Sequence, residues 1–218
     1  MRVEVAVQAL RERRRSLVWW SLGVVALVAL TVAFYPSIRD DPSINAYVED
    51  LPESLRGLFA GGELDIASPA GYLNSQIFAL MAPLVLLVFA VGAGAGAVAG
   101  EEEKGTLDFL LAHPLRRRSY ALQRFLALTA HVGALSLVLL LTTWLGSLAV
   151  DLEIGFDRLV SASASVGLLA LLFGTLALAV GSVRPGRARA IAVAAGVAVA
   201  AWLLDGLGQA VDLLDAWR

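Results

Sequence analysis

Long uncharged, apolar runs alternate along the chain with short charged segments, a pattern that predicts five membrane-spanning helices. Four of these runs are longer than the about 20 residues that a helix needs to cross the hydrocarbon of a bilayer. The fifth is shorter, and it crosses only if neighbouring arginines extend toward the headgroups or the bilayer thins locally. The predicted spans are residues 16–36, 72–99, 122–150, 159–182 and 188–204.

The composition is that of an integral membrane protein. Hydrophobic residues make up 58% of the chain and charged residues 17%, whereas soluble domains contain about 25% charged residues. We therefore predict an all-α fold, a polytopic membrane helix bundle in which residues 1–218 form a single transmembrane domain. The chain has no cysteine, which excludes disulfides, thiolate metal sites and cysteine nucleophiles.

The distribution of arginine predicts the orientation of the bundle. Arginines are concentrated before the first span, between the second and third, and between the fourth and fifth, whereas most acidic residues lie in the alternate segments. Because basic loops stay in the cytoplasm, we expect a cytoplasmic N-terminus and an extracellular C-terminus of this chain, in the plasma membrane. The first span is expected to be an uncleaved signal anchor, and a cleaved signal peptide is the alternative.

The segments outside the spans have patterns of their own. Residues 1–15 carry apolar residues at helical spacing among arginines, which predicts a cytoplasmic interfacial helix or, alternatively, a basic tail that only sets the orientation. Residues 37–70 form an extracellular segment, in which one or two short amphipathic helices and a solvated connector are equally compatible with the sequence. Residues 100–119 form a cytoplasmic loop, and residues 205–218 an extracellular segment.

The cytoplasmic loop between the second and third spans contains a short predicted helix. Thr106 suits its N-cap, Asp108 its first turn, and Pro114 its end. Because so short a helix is marginal in water, we expect its apolar face to dock on a partner protein, on the inner helix ends of this chain or in the membrane interface. The leucines of that face are Leu107, Leu110 and Leu111.

This loop resembles the signature of a known family. It reads Glu101-Glu-Glu-Lys-Gly-Thr-Leu-Asp-Phe-Leu-Leu-Ala-His-Pro114, followed by a cluster of arginines and a new span. An acidic group, then Gly-Thr-Leu, further apolar residues and a proline before basic residues is similar to the motif of ABC-2-type transporter permeases. The order of elements is also similar, from an amphipathic start through a long outer segment to the inner helix and the later spans.

The resemblance implies the membrane-spanning permease subunit of an ATP-driven exporter, in which the short helix is the coupling helix. ATP and magnesium would be bound by a separate cytoplasmic ABC ATPase subunit, so we expect no cofactor, no metal and no catalytic residue in this chain. A second permease copy or a sister permease and membrane lipid are the other expected partners, and nucleic acid is not one. The residues matched to the ATPase-coupling region are Glu101, Glu102, Glu103, Gly105, Thr106, Leu107, Leu110, Leu111 and Pro114.

Members of that family generally have six spans, with short re-entrant helices before the last. Five spans are predicted here, and residues 206–218 resemble the start of the outer re-entrant segment. Either the sequence is truncated or it represents a shorter variant, and these alternatives remain open at this point.

Glycines at the inner end of the second span predict close helix packing. Gly92, Gly96 and Gly100 recur every four residues and therefore share one helix face. A nucleotide-binding loop is a poor alternative, since no strand precedes these glycines and the chain contains no Gly-x-x-x-x-Gly-Lys-Ser/Thr motif. In the third span, His131 is expected to form a hydrogen bond to another helix or to mark a polar pathway.

Functions of other classes are compatible with parts of this pattern. A membrane scaffold or assembly protein that binds a cytoplasmic partner without transporting anything would have the same spans and the same docking helix. A membrane-embedded enzyme is disfavoured, because the uncharged runs contain no Asp, Glu, Lys or Arg from which a catalytic site could be assembled.

Overall fold

The chain folds into a bundle of membrane-length helices. The computed structural model describes residues 13–39, 69–100, 117–150, 154–183 and 186–208, and these residues contain helices and turns but no strand. The helices are α1 (Arg14–Arg39), α2 (Pro69–Leu73), α3 (Met81–Ala97), α4 (Arg117–Ala149), α5 (Phe156–Val183) and α6 (Arg187–Gly208), and a π-helical turn at Asn74–Phe78 links α2 to α3.

The described part of the chain contains five stretches of helix that are long and apolar enough to cross a membrane. The predicted all-α helix bundle with five transmembrane helices is therefore confirmed. The last stretch reaches 19 residues because α6 begins at Arg187, among the arginines that precede the uncharged run. The five stretches are Arg14–Pro36, Gly71–Ala97, Ser119–Ala149, Phe156–Val183 and Arg187–Asp205.

The second span is interrupted near its start. The Leu80 backbone, at φ −136° and ψ −54°, leaves the helical region between the π-helical turn and α3. Pro83 explains the break, because it has no N–H to donate to the carbonyl of Ala79 and its ring crowds that carbonyl. The helix resumes at once, with the Leu84 N–H donating to the Leu80 carbonyl at 3.0 Å. The interruption at Leu80 lies three residues before Pro83.

Helix α5 is the central element of the bundle, since it packs against α3, α4 and α6 and most extensively against α3. One apolar core joins α1, α3, α4 and α5, with Val28, Leu86 and Leu135 among its fully buried side chains. A second, smaller core joins α3, α5 and α6 and includes Phe173 and Ala194. Helices α3 and α5 take part in both cores and therefore hold the bundle together.

Helix α1 packs chiefly on α4. The side chain of Val32 packs against Gly146 of α4. A Cβ built on this glycine would lie only 2.9 Å from Val32 Cγ2, so a larger residue would not fit there without a shift. At the end of α1, the ring of Tyr35 lies 5.1 Å from that of Tyr72, measured between centroids. The Tyr72 hydroxyl donates a hydrogen bond of 2.8 Å to the Thr31 carbonyl, which ties α1 to the start of the second span.

The two ends of the bundle differ in charge. At one end, where α3 and α5 finish and α4 and α6 begin, the described charged residues are arginines, and we call it the basic end. At the opposite end lie Asp157 in the first turn of α5 and Asp205 near the end of α6, which are the acidic side chains among the described residues. The charge asymmetry that the sequence shows along the chain thus becomes an asymmetry across the bundle.

Candidate functional site

The residues predicted to couple the chain to a partner lie between α3 and α4, outside the described residues. The structure describes the elements on either side of this segment: α3 with the three residues that follow it, and the start of α4. The short coupling helix itself therefore stays a prediction. The predicted residues in this segment are Glu101, Glu102, Glu103, Gly105, Thr106, Leu107, Leu110, Leu111 and Pro114.

A chain of polar contacts ties the start of α4 to the end of α3. The Tyr120 hydroxyl donates to the Ala97 carbonyl at 3.4 Å and accepts a hydrogen bond of 3.0 Å from Arg124 Nε. The guanidinium carbon of Arg124 lies 5.2 Å from the centroid of the Tyr120 ring, within the range of a cation–π contact. Both side chains are buried, so these contacts hold the two ends of the coupling segment at a defined separation.

Arginines from α6 and from the residue just before α1 meet the end of α3 at Gly96. A Cβ built on Gly96 would lie 2.6 Å from Arg13 Nη2 and 3.8 Å from Arg187 Nε. A larger residue at this position would displace the Arg13 guanidinium from the α3 surface. Gly96 thus makes room for an arginine, whereas the sequence pattern suggested that it makes room for another helix.

A small cavity opens beside this arginine cluster. It has about 280 Å³ of empty space, open in part to solvent. Its polar lining comes from Arg13, Arg124 and His131, which are supplied by the start of α1 and by α4. The remaining lining residues are apolar: Ala93, Ala97, Ala127 and Leu128. Sequence reasoning treated the arginines only as topology markers, because nothing in the spacing of Arg13 and Arg124 indicates that they face one cavity.

His131 forms the deep polar wall of this cavity. Its Nδ1 lies 2.7 Å from the Ala127 carbonyl one turn earlier in α4. A carbonyl oxygen only accepts hydrogen bonds, so Nδ1 carries the proton in this contact. The imidazole also lies against Phe89 of α3, at 6.3 Å between ring centroids. His131 is thus held by its own helix and packed against the neighbouring one.

The close approach of helices within the chain falls on a glycine that the sequence pattern passed over. A Cβ on Gly94 would collide with the Gly174 carbonyl oxygen of α5, and one on Gly174 would lie 3.0 Å from Ala90 Cβ. A Cβ on Gly92 or Gly100 would meet no atom within 4 Å. Within this chain, the close packing against another helix that was expected at Gly92, Gly96 and Gly100 occurs instead at Gly94, which faces α5. A role of that face in contact with another chain stays a prediction.

The charged side chains that the structure describes at the basic end are arginines, which are not metal ligands. No group of three or more His, Cys, Asp or Glu side chains among the described residues could hold a metal ion. The basic end instead presents Arg13, Arg124 and Arg187 around one stretch of α3. Arginine is the side chain best suited to bind phosphate and carboxylate groups, because its N–H donors are fixed in a planar fork. The expectation that the chain carries no cofactor of its own stays a prediction.

Comparison with known families settles the class of protein. A family model described as ABC-2 family transporter protein matches residues 3–211. The chain belongs to this family. The matched region covers every described helix and the segment between α3 and α4, and the predicted resemblance to ABC-2 permeases is therefore confirmed. This ABC-2 protein is a multi-pass membrane transport component. No curated protein and no solved structure matches it significantly.

Proposed function

We propose that this ABC-2 protein is the permease subunit of an ATP-driven exporter and that a separate ABC ATPase subunit binds and hydrolyses the ATP. The observation that carries this proposal is the family match over residues 3–211, which includes the Gly-Thr-Leu segment. The chain has no Gly-x-x-x-x-Gly-Lys-Ser/Thr motif, which is consistent with ATP hydrolysis by another polypeptide. Magnesium and ATP are then ligands of that partner.

The orientation follows from the charge of the basic end. Basic segments beside membrane spans remain on the cytoplasmic side, so the basic end faces the cytoplasm and the C-terminus of this chain faces outward. Residues 101–114 then lie on the side from which a cytoplasmic ATPase approaches. Leu107, Leu110 and Leu111 provide apolar anchors for docking in a groove of that partner.

The packing of the bundle supplies a route for coupling. A force on residues 101–114 reaches α3 and α4 directly, because the segment is joined to both. Helix α3 is locked to α5 where Gly94 meets Gly174, and α4 carries α1 in the contact between Gly146 and Val32. A force from the ATPase is therefore passed from α3 to α5 and from α4 to α1 and α5.

A second permease copy or a sister permease completes the transporter in this proposal. The outward faces of α1 and α6 are apolar and uncovered in a single chain: only 17% of the α1 window and 11% of the α6 window are buried. Trp19, Phe34 and Leu204 are among the large exposed side chains on these helices. Such surfaces face either lipid or another apolar chain, so α1 and α6 offer the area for pairing.

Replacing Leu107 and Leu110 with aspartate tests the docking of the ATPase. The double variant L107D/L110D should lose the co-purifying ATPase subunit, because charged side chains cannot fill an apolar groove without a large desolvation cost. The measurement is the amount of ATPase retained when both subunits are co-expressed, extracted in detergent and captured through a tag on the permease.

The matched control is L55D, which introduces the same change in the segment predicted to be extracellular. It should retain the ATPase as the parent does, and both variants should insert in the membrane normally. Undiminished ATPase capture by L107D/L110D would contradict the docking role of this segment.

A further inference from the structure

The second membrane span consists of two helical pieces. The first piece, residues 69–78, is formed by α2 and the π-helical turn, and the second piece is α3. Between them the backbone turns at Ala79 and Leu80, and Pro83 follows in the first turn of α3. We call residues 79–83 the junction. The docking of an ATPase at residues 101–114 makes no use of it.

The regular hydrogen bonding of an α-helix is interrupted at the junction. The Ala79 N–H donates at 2.7 Å to the Asn74 carbonyl, five residues earlier, which is the spacing of a π-helix. Leu80, at φ −136° and ψ −54°, lies outside the α-helical region. Pro83 has no N–H to donate to the Ala79 carbonyl. Because α3 has its own first hydrogen bond, from Leu84 to Leu80, a rotation about φ of Leu80 reorients the first piece and leaves α3 intact.

The first piece is bound to α1. The Tyr72 hydroxyl donates a hydrogen bond of 2.8 Å to the Thr31 carbonyl, and the Tyr72 ring lies 5.1 Å from that of Tyr35. Tyr72 is buried, so its hydroxyl would lose free energy if this hydrogen bond were broken. A displacement of α1 is therefore passed to the first piece.

The second piece is bound to a different helix. Helix α3 packs most extensively on α5, where a Cβ on Gly94 would collide with the Gly174 carbonyl oxygen. One turn earlier on α3, the Cβ of Ala90 would lie 3.0 Å from a Cβ built on Gly174. Backbones in such close contact resist sliding past each other, because packed interfaces deform little. The two pieces of one span are thus held by different neighbours, α1 and α5.

We propose that the junction is a hinge, which lets the first piece move with α1 while α3 stays on α5. Hinges are a few residues in loops or at the ends of helices that absorb changes in backbone dihedral angles. An interrupted helix is tolerated in a membrane where neighbouring helices surround it. Tyr72, Leu73 and Ile77 are buried in the larger apolar core, so the first piece rotates within the bundle and does not leave it.

The hinge separates the motions of the two ends of the bundle. Helix α1 packs chiefly on α4, so a displacement of α4 reaches the first piece through α1. An unbroken second span would instead tie the first piece rigidly to α3 and α5. With the hinge, the end opposite the arginines changes shape while the contact of Gly94 with Gly174 is kept. The hinge is a property of this chain alone, so its test needs neither an ATPase nor a substrate.

Distances between pairs of nitroxide labels test the hinge in the full chain in lipid nanodiscs. The natural chain has no cysteine, so the labels are attached at introduced cysteines. The pair N74C/L168C joins the first piece to α5, and the control pair V88C/V183C joins α3 to α5; all four replaced side chains are exposed. Pulsed electron paramagnetic resonance should give a broader distribution of distances for the first pair than for the control pair.

Pro83→Ala restores an N–H at the junction and favours a continuous helix. It should narrow the distance distribution of N74C/L168C and leave that of V88C/V183C unchanged, with the elution volume of the parent. Equal widths for the two pairs in the parent, or an N74C/L168C distribution that P83A does not narrow, would overturn the hinge.

Tyr72→Phe tests the attachment of the first piece to α1 and does not depend on the folding of P83A. It removes the hydrogen bond to the Thr31 carbonyl, so the distance distribution between N74C and L30C, which is exposed on α1, should broaden. The control Y120F removes a hydroxyl at the basic end and should leave this pair unchanged. If Y72F also leaves it unchanged, α1 does not carry the first piece and the proposal is overturned, while ATPase docking at residues 101–114 is unaffected.

Discussion

At the scale of single residues, two glycines set the distance between the most extensively packed helices. Gly94 of α3 and Gly174 of α5 face each other so closely that a side chain on Gly94 would strike the backbone of α5. A backbone carbonyl cannot rotate away as a side chain can, so the helices would have to separate. Small residues have this role in membranes because packing, rather than the hydrophobic effect, drives the association of helices there.

Gly94→Ala should therefore destabilise the bundle by about 1–3 kcal/mol, the usual cost of overpacking. The matched control is Gly92→Ala, two residues away on the same helix, where an added Cβ meets no atom within 4 Å. It should leave stability unchanged or raise it by up to about 1 kcal/mol through helix propensity. The measurement is thermal unfolding of each variant in the same detergent. Equal melting temperatures for the two variants would contradict the close approach at Gly94.

At the scale of helices, α1 is attached to the bundle chiefly through α4. Val24, Val28 and Val32 are its buried valines, spaced four residues apart, and they form one narrow stripe. The outward faces of α1 are exposed, and the contact of Val32 with Gly146 is part of its attachment to α4. An attachment of this kind lets α1 follow α4 when the coupling segment moves.

Gly146→Ala should loosen this attachment, and Val32→Ala should restore it. The Cβ of the first variant would lie 2.9 Å from Val32 Cγ2, whereas removal of the valine methyl groups leaves Val32 Cβ at 3.6 Å, an ordinary contact distance. The double variant should be more stable than the sum of the single changes predicts, by about 0.5–3 kcal/mol. The four unfolding free energies of the double-mutant cycle measure this term. A coupling energy of zero would show that α1 and α4 do not meet at these residues.

At the scale of the whole molecule, charge is separated across the bundle. The arginine-rich segments that are dispersed along the sequence converge at one end, and the described carboxylates lie at the other. The membrane potential and anionic lipids of the inner leaflet both favour placing the basic end in the cytoplasm. This orientation decides which segment an ATPase reaches, so the proposed function depends on it.

Single introduced cysteines measure the orientation directly, because the natural chain has none. Asp157→Cys, exposed at the end opposite the arginines, should react with a membrane-impermeant maleimide in intact cells. Gln8→Cys, before the first span, should react only after the membrane is permeabilised. The reversed labelling pattern would place the arginine-rich end outside and remove the basis for ATPase docking at residues 101–114.

The sequence by itself determined the class of the protein and the number of spans. Uncharged runs of membrane length are visible without any knowledge of contacts, since the cost of burying charge in hydrocarbon acts on each segment separately. The family, too, was readable from one local segment, Glu101 to Pro114, and the match over residues 3–211 confirms it. The orientation and the coupling role were inferred in the same local way and remain predictions.

Only the tertiary structure decided which faces meet. The run from Gly92 to Gly96 places glycines on two faces of α3. Periodicity cannot tell which of these faces another helix covers. In the folded bundle, α5 packs against the face that carries Gly94. Likewise, Arg13, Arg124 and Arg187 are far apart in sequence, and only the folded bundle brings them to the same stretch of α3. Local energetics specifies the helices, whereas contacts between distant segments depend on how all the helices pack at once.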